Sequence, residues 1–383
     1  MKTETMLPAM RLIGWCKNID RRCAEQFPDI FRPSLMRALV KGGFLRPYTE
    51  TYGWRLTADG YRWLAVHGYP IQPDQHTQRA KRRFDNAAVA VTMYAAGISP
   101  FQDSVPAFCE QGGYLPAFIL RAQDGSHLLG SNQVVGFVRM GDVLLAAHYP
   151  HPDRKVVLQR EHDCAESMTL RSGCMDMGYL FCGESYGSIY RSLVGAYEEN
   201  GTRRKQGYAG LFRQSRFAYL IPCDGLGAVQ LHLMRIPGFK ARLAPMLGGN
   251  AGNMAGQDMP DCDFIDPHYH LPARIMLDME LCRVPYAAWQ AQKAGYNGLV
   301  LAAFETQKRF LEQLYPPPFY EFAVIPDDIR PHLFWIRPGS AGSSLACRAC
   351  RGTAGGSAPA EKLPLERSGG DREGGSRAHA PVR

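Results

Sequence analysis

Apolar residues in the first part of the chain recur at helical spacing in short runs, then alternate briefly as in strands. Leu7, Met10, Leu12, Ile13 and Trp15 supply one face of a first helix. A second short helix is predicted over 20–27, where Pro28 and Asp29 then make a turn. Residues 32–45 place Leu35, Leu39 and Val40 on one helical face, and Gly42 and Gly43 stop that helix. Arg32, Ser34, Arg37 and Lys41 are left facing outward. Residues 44–48 and 54–56 read as two short strands joined by a polar turn, a β-hairpin. Thr57 is placed to cap a fourth helix that ends near Gly68 and Pro70.

A polar connector at 72–77 leads into a long helix, 78–97, whose first turns are basic (Arg79, Lys81, Arg82, Arg83) and whose later turns are apolar. Cations at a helix start oppose the helix dipole, so an anion must favour them. Phosphate and carboxylates of the following region both meet that need. From about residue 100 the texture becomes α/β. Strands are predicted at 114–120, 134–140, 143–148, 179–181, 217–221, 228–233, 274–277, 298–303 and 321–325, with helices at 184–199, 239–247, 284–295 and 305–314. Interleaving of this kind predicts a mixed sheet with helices on its faces. Beyond 338 the chain is rich in Gly, Ser, Ala, Arg and Pro, which predicts disorder. The organisation expected is 6–72, a small helical module with a hairpin; 73–99, a basic connecting helix; 100–337, an α/β domain; and 338–383, a disordered tail.

Composition narrows the class. Of 383 residues, 45% are hydrophobic and 21% charged, the balance of a globular chain. No apolar run is long enough to span a bilayer. The N-terminal stretch carries Glu4 and no long apolar segment, so a secretory signal is not expected and the location predicted is cytoplasmic. The 11 cysteines are scattered, as suits free thiols in a reducing compartment, and the lone pair Cys347 and Cys350 has no second pair to complete a metal site. The net charge of +8 is uneven: residues 1–85 hold 15 Lys and Arg against 8 Asp and Glu, a net of +7. A duplex-binding surface needs such a concentration.

Few motifs point to catalysis. Residues 125–136 contain no phosphate-binding loop of either common type, so no nucleotide cofactor is expected. Gly183-Glu184-Ser185-Tyr186-Gly187 has the spacing of a nucleophile elbow, but no Asp and His partners can be placed. The stretch 258–270 packs Asp258, Asp261, Asp263, Asp266, His268 and His270 together, and Asp278 and Glu280 follow a short apolar strand. Pro260-Asp261 followed by Asp278-Met279-Glu280 is similar to the PD-(D/E)xK nuclease signature, in which an acid pair binds Mg²⁺ and a lysine assists. Glu280 stands where that lysine would be, which argues against cleavage. No catalytic and no metal-binding residue is assigned.

Leu39, Gly42, Gly43 and Phe44, followed by Trp54-Arg55-Leu56-Thr57, Gly60 and Leu64, resemble the winged helix-turn-helix pattern. With the basic helix after it, and with 130–137 (GSNQVVGF), 219–231 (YLIPCDGLGAVQL) and 276–281 (MLDMEL), the chain over residues 6–330 resembles the bacterial replication-relaxation proteins of plasmids and integrative elements. That resemblance implies a DNA-binding accessory protein of replication or conjugal transfer, with an α/β domain related to the PD-(D/E)xK nuclease fold. The expected DNA contacts are Arg32, Ser34, Arg37, Lys41, Arg46, Arg55, Arg79, Lys81, Arg82 and Arg83. The expected partners are double-stranded DNA and a relaxase or replication protein. A homodimer is compatible with this reading, although no heptad run specifies one. Two alternatives stay open: a metal-dependent nuclease or nickase using Asp261, Asp278 and Glu280, and a module that binds protein instead of DNA.

Overall fold

A computed structural model describes residues 3–47, 53–72, 80–123, 133–151, 158–199, 202–205, 208–249 and 258–325. The tail at 338–383, expected to be disordered, lies outside the described residues, as do Cys347 and Cys350. The protein is a mixed α/β structure. Among the described residues no helix is long and apolar enough to cross a membrane.

The chain opens with helices α1 (Thr3–Cys16), α2 (Arg21–Gln26) and α3 (Pro33–Lys41), strands β1 (Leu45–Pro47) and β2 (Trp54–Leu56), and helix α4 (Ala58–Val66). Each boundary has a local cause. The Asp20 carboxylate accepts from the Cys23 amide and caps α2. Gly42 and Gly43 end α3, with the Phe44 amide returning to the Leu39 carbonyl at 3.0 Å. Thr57 does two things at once: its hydroxyl caps α4 through the Gly60 amide at 3.1 Å and donates to the Gly43 carbonyl at 2.6 Å. Gly60 is required because a Cβ there would lie 2.4 Å from the Phe44 carbonyl oxygen. The Leu-Thr-x-x-Gly signal is therefore the joint between hairpin and helix. A third strand position exists too, since Ile19 bridges Trp54 through paired backbone hydrogen bonds of 3.0 and 2.9 Å.

Helix α5 (Ala80–Ala95) follows, then α6 (Val105–Gln111), β3 (Gly113–Pro116), α7 (Ala117–Gln123), β4 (Val134–Met140), β5 (Val143–His148), α8 (Leu158–Ser172), β6 (Asp176–Gly183), α9 (Tyr186–Val194), β7 (Ala196–Glu199), β8 (Thr202–Lys205), α10 (Tyr208–Gln214), β9 (Ala218–Pro222) and α11 (Gly225–Met234). Strands β3, β4, β5, β6 and β9 form one sheet in that order; the first two pairings are antiparallel and the last two parallel. The remaining elements are α12 (Phe239–Leu243), β10 (Phe264–Ile265), β11 (Pro272–Ile275), α13 (Val284–Lys293), β12 (Leu299–Phe304), α14 (Glu305–Leu314) and β13 (Tyr320–Ile325). Strands β10 to β13 make a second, four-stranded sheet, parallel except for β10. Among the described residues the single mixed sheet expected from the sequence is thus two larger sheets, with β7 and β8 paired apart from them as an antiparallel ribbon.

Strand alternation decides which core each residue enters. Leu144, Ala146, Tyr179 and Phe181 point to one face of the five-stranded sheet, with α8 and α9. Leu145, Ala147, Leu180 and Cys182 point to the other, where they pack with Ala87, Ala90 and Val91 of α5 and with Met10 and Ile13 of α1. The apolar layer of the first 72 residues is therefore continuous, through α5, with one face of this sheet. A buried chain of amides joins the two sheets. The Gln230 amide donates to the carbonyls of Leu220 (2.8 Å) and Asp278 (2.6 Å) and its oxygen accepts from the Tyr186 hydroxyl (2.9 Å). That hydroxyl in turn accepts from Gln307.

Three of the expected elements differ in type or extent, and α6, α8 and α10 were not expected at all. Residues 228–233 are helix, not strand: Asp224 caps α11 through the Gly227 amide, and every residue from 226 to 233 is buried. A helix buried all round shows no period to distinguish it from a strand. Residues 117–120 are helical because β3 ends at Pro116, after which Ala117 and Leu120 are buried at helical spacing. The helix expected over 184–199 stops at Val194, before the short strand β7.

Candidate nucleic-acid interface

Helix α3 is amphipathic by burial as well as by sequence. Leu35, Met36 and Leu39 are buried, while Arg32, Ser34, Arg37 and Lys41 are exposed. Among the described residues, Arg32, Arg37 and Lys41 form no ion pair, in contrast to Arg21, Arg22 and Arg62, which pair with Glu25, Glu184 and Asp59. The helix also begins without a capping side chain: Arg32 holds the cap position and Pro33 the first turn. Its leading amides are thus left to outside acceptors, the arrangement in which helix starts receive anions.

The hairpin adds a second basic feature. Its register sets Arg46 directly opposite Arg55, between the pairs Leu45 with Leu56 and Pro47 with Trp54. Like charges directly opposite across strands are unfavourable by themselves. Arg46 is exposed and Arg55 half-buried. Of the basic run expected at the start of α5, Arg79 lies outside the described residues; Lys81 and Arg82 fall in the helix, with side chains that are not described. Arg83 is half-buried. Sequence reasoning missed Tyr61, on α4, whose phenol is raised above its ordinary value by burial and drawn back by Arg55, Arg46 and Arg83. The aromatic position after Gly60 was visible, but nothing in the sequence connected it to Arg83.

The acids of the second candidate set do meet, and they meet cations. Lys240 of α12 lies 2.7 Å from the Asp278 carboxylate and 3.9 Å from that of Glu280. Arg274 donates to Glu280 at 2.7 Å and to the Asp261 carbonyl at 2.6 Å, while Arg283 stands 3.6 Å from Asp261. The lysine that the sequence lacks beside Glu280 is supplied by a distant helix. Burial, then Asp278, raises Glu280 to about 7. Between the two acids, buried Met279 adopts φ +54°, a left-handed conformation that aims both side chains inward. Three cations, Lys240, Arg274 and Arg283, thus lie among these acids. Among the described residues no group of three or more His, Cys, Asp or Glu side chains could hold a metal.

The other motifs resolve into local structure. Ser185 is the cap of α9, its hydroxyl accepting from the Ser188 amide at 3.2 Å. Asp266 accepts from the amides of His268 and Tyr269 and closes a turn. Comparison of the chain with family models, with curated proteins and with solved structures finds no match.

Proposed function

We propose that residues 6–72 form a winged helix-turn-helix that binds duplex DNA, with α3 in the major groove and the hairpin as the wing. The outward face of α3 carries this reading: four polar side chains at helical spacing, the cations among them without ion pairs, on a helix with an uncapped start. Arg32, Ser34 and Arg37 would approach base edges and flanking phosphates, and Lys41, Arg46 and Arg55 the backbone. In this reading the chain is an accessory protein of a mobile genetic element, acting in plasmid replication, conjugal mobilisation or their transcriptional control without catalysis of its own. The replication-relaxation resemblance supports that role, and the charge of residues 1–85 supports the ligand. The test is selection of duplexes from a randomised pool by the full-length chain, followed by titration with Arg37→Ala. A loss of roughly tenfold or more for selected over random duplex is expected, with folding intact. Unchanged discrimination would displace α3 from the groove.

A second reading rests on Lys240, which restores a lysine to the acids Asp261, Asp278 and Glu280 and so the composition of a metal-dependent nuclease. Supercoiled plasmid incubated with the protein and Mg²⁺ or Mn²⁺ tests it. Nicking abolished by Asp278→Asn would establish this reading, and intact plasmid with both metals would remove it.

A further inference from the structure

Two aromatic rings are left in water side by side. Among the described residues, Tyr286 and Trp289 are the only Phe, Tyr or Trp side chains that lie exposed, at 57% and 58%. Both stand on α13 one turn apart, so their rings share a face, with Cβ atoms about 5–6 Å from each other. Val284, Ala287, Ala288 and Ala291 on the other side of the helix are buried, so α13 is held in place without the two rings. Rings of this size dominate cores and interfaces, and a pair left out together marks a contact surface.

Cations frame the pair. The Lys293 ammonium is 5.2 Å from the Trp289 ring centre, and the Arg283 guanidinium is 5.9 Å from that of Tyr286. Arg283 is tethered by Asp261 at 3.6 Å, whereas Lys293 is exposed and forms no ion pair among the described residues. Its flexible four-carbon stem lets the ammonium turn from the ring to an anion. Residues 281–304 contain no Asp or Glu, and the other exposed positions of α13 are Pro285 and Gln292.

Flat rings combined with positive charge select the occupant. The chain carries a net +8, so charge does not favour a second copy. A membrane surface would call for aliphatic side chains beside the rings, and this face has none. An acidic polypeptide would satisfy the cations and leave the rings without flat partners. In a duplex the base faces are covered by their neighbours. An unpaired strand offers both groups at once, open base faces for the rings and phosphates for the cations.

We infer that Arg283, Tyr286, Trp289 and Lys293 bind single-stranded DNA, with a base stacked on each ring and the backbone passing the two cations. The choice of DNA over RNA rests on the duplex-binding reading, since an opened duplex supplies such a strand. The site itself lies on α13 and shares no residue with α3 or the hairpin.

The test measures binding of fluorescein-labelled oligothymidylate to the full-length chain by anisotropy, alongside duplex recovered from the randomised pool. Trp289→Ala should weaken the oligothymidylate complex at least about fivefold and leave duplex affinity unchanged. Trp289→Phe keeps a ring and should recover most of the loss. Lys293→Gln should lower the slope of log affinity against log salt by about 0.7, the value for one contact to a single strand. The substituted side chains are exposed, and variants that melt at the wild-type temperature exclude a folding defect. No binding of oligothymidylate by the wild type, or equal affinity in wild type and Trp289→Ala, overturns the strand site. Polyglutamate that displaces the labelled strand as well as unlabelled oligothymidylate does overturns it in favour of an acidic protein. A preference for oligouridylate overturns the assignment to DNA. A pool that yields no bound duplex, with the Trp289→Ala effect intact, overturns the duplex-binding reading and leaves the strand site in place.

Discussion

His148 offers the clearest test of how this core handles polarity. It ends β5 on the face shared with α8, fully buried, and among the described residues neither ring nitrogen has a hydrogen-bond partner. Tyr179, Phe181 and Tyr208 surround it with ring centroids at 5.8, 5.9 and 5.5 Å. The Glu161 carboxylate is 3.8 Å away, too far for a hydrogen bond, and burial lowers the imidazole to about 3. The folded chain therefore keeps His148 neutral where the unfolded chain takes up a proton. A depressed value means that its contribution to stability is full above the unfolded value of about 6.5 and is lost as the pH falls toward the folded one. At about pH 5 the unfolded state gains about 2 kcal/mol from this residue, a figure that holds wherever the folded value lies well below 5. The perturbation is His148→Phe, which suits the aromatic surroundings and removes two unpaired nitrogens. Urea denaturation of both proteins at about pH 8 and about pH 5 should show the wild type losing about 2 kcal/mol more than the variant between the two conditions. Equal losses would mean that His148 titrates alike in both states, and the reasoning from burial would be wrong.

Other consequences can be checked by the same assay. Lys240→Met leaves Asp278 and Glu280 without their shared cation; because the lysine retains 19% exposure, the cost should be about 2–3 kcal/mol, below that of a fully buried pair. Adding Asp278→Asn should recover most of it, and a double variant no better than the single one would contradict the pairing. Glu280→Gln should remove a pH dependence of opposite sign to that of His148: raised to about 7, Glu280 contributes stability below its unfolded value that is lost as the pH rises through 7. A stability profile unaltered by the substitution between about pH 4.5 and pH 7 would refute that assignment. Gly53→Ala places a Cβ 2.0 Å from the Ile19 carbonyl at φ +106°, so it should cost about 3 kcal/mol or more and disrupt the bridge that ties the hairpin to the first helices. A near-neutral effect would show that this strand pairing is dispensable.

The N-terminal elements were legible because their boundaries are written in local chemistry. Asp20, Thr57, Gly42, Gly43 and Gly60 each cap, stop or admit a close approach within a few residues. Strands β4, β5 and β12 were legible as apolar runs bounded by turns, since sheets covered on both faces need no polar side. Helix α11 was not, because burial on every side erases its period. Helix α8 escaped notice for a different reason: half of the face it buries is polar, Glu161, Thr169 and Ser172 beside Cys164, Ala165 and Met168, so the sequence shows no clear apolar stripe. In the candidate sites, the outward residues of α3 could be read from helical spacing alone. Lys240 beside Asp278 could not, because tertiary packing joins them and no local pattern encodes it.

The central claim is that the charge on α3, the hairpin and α5 neutralises DNA phosphates. Its most direct test is the affinity of the full-length chain for duplex DNA measured across a series of salt concentrations. If four to six of Arg32, Arg37, Lys41, Arg46, Arg55 and Arg83 contact phosphates, log affinity should fall linearly against log salt with a slope of about −4 to −5. A flat dependence, or no binding at low salt, would contradict the account and leave the N-terminal module as a surface for protein.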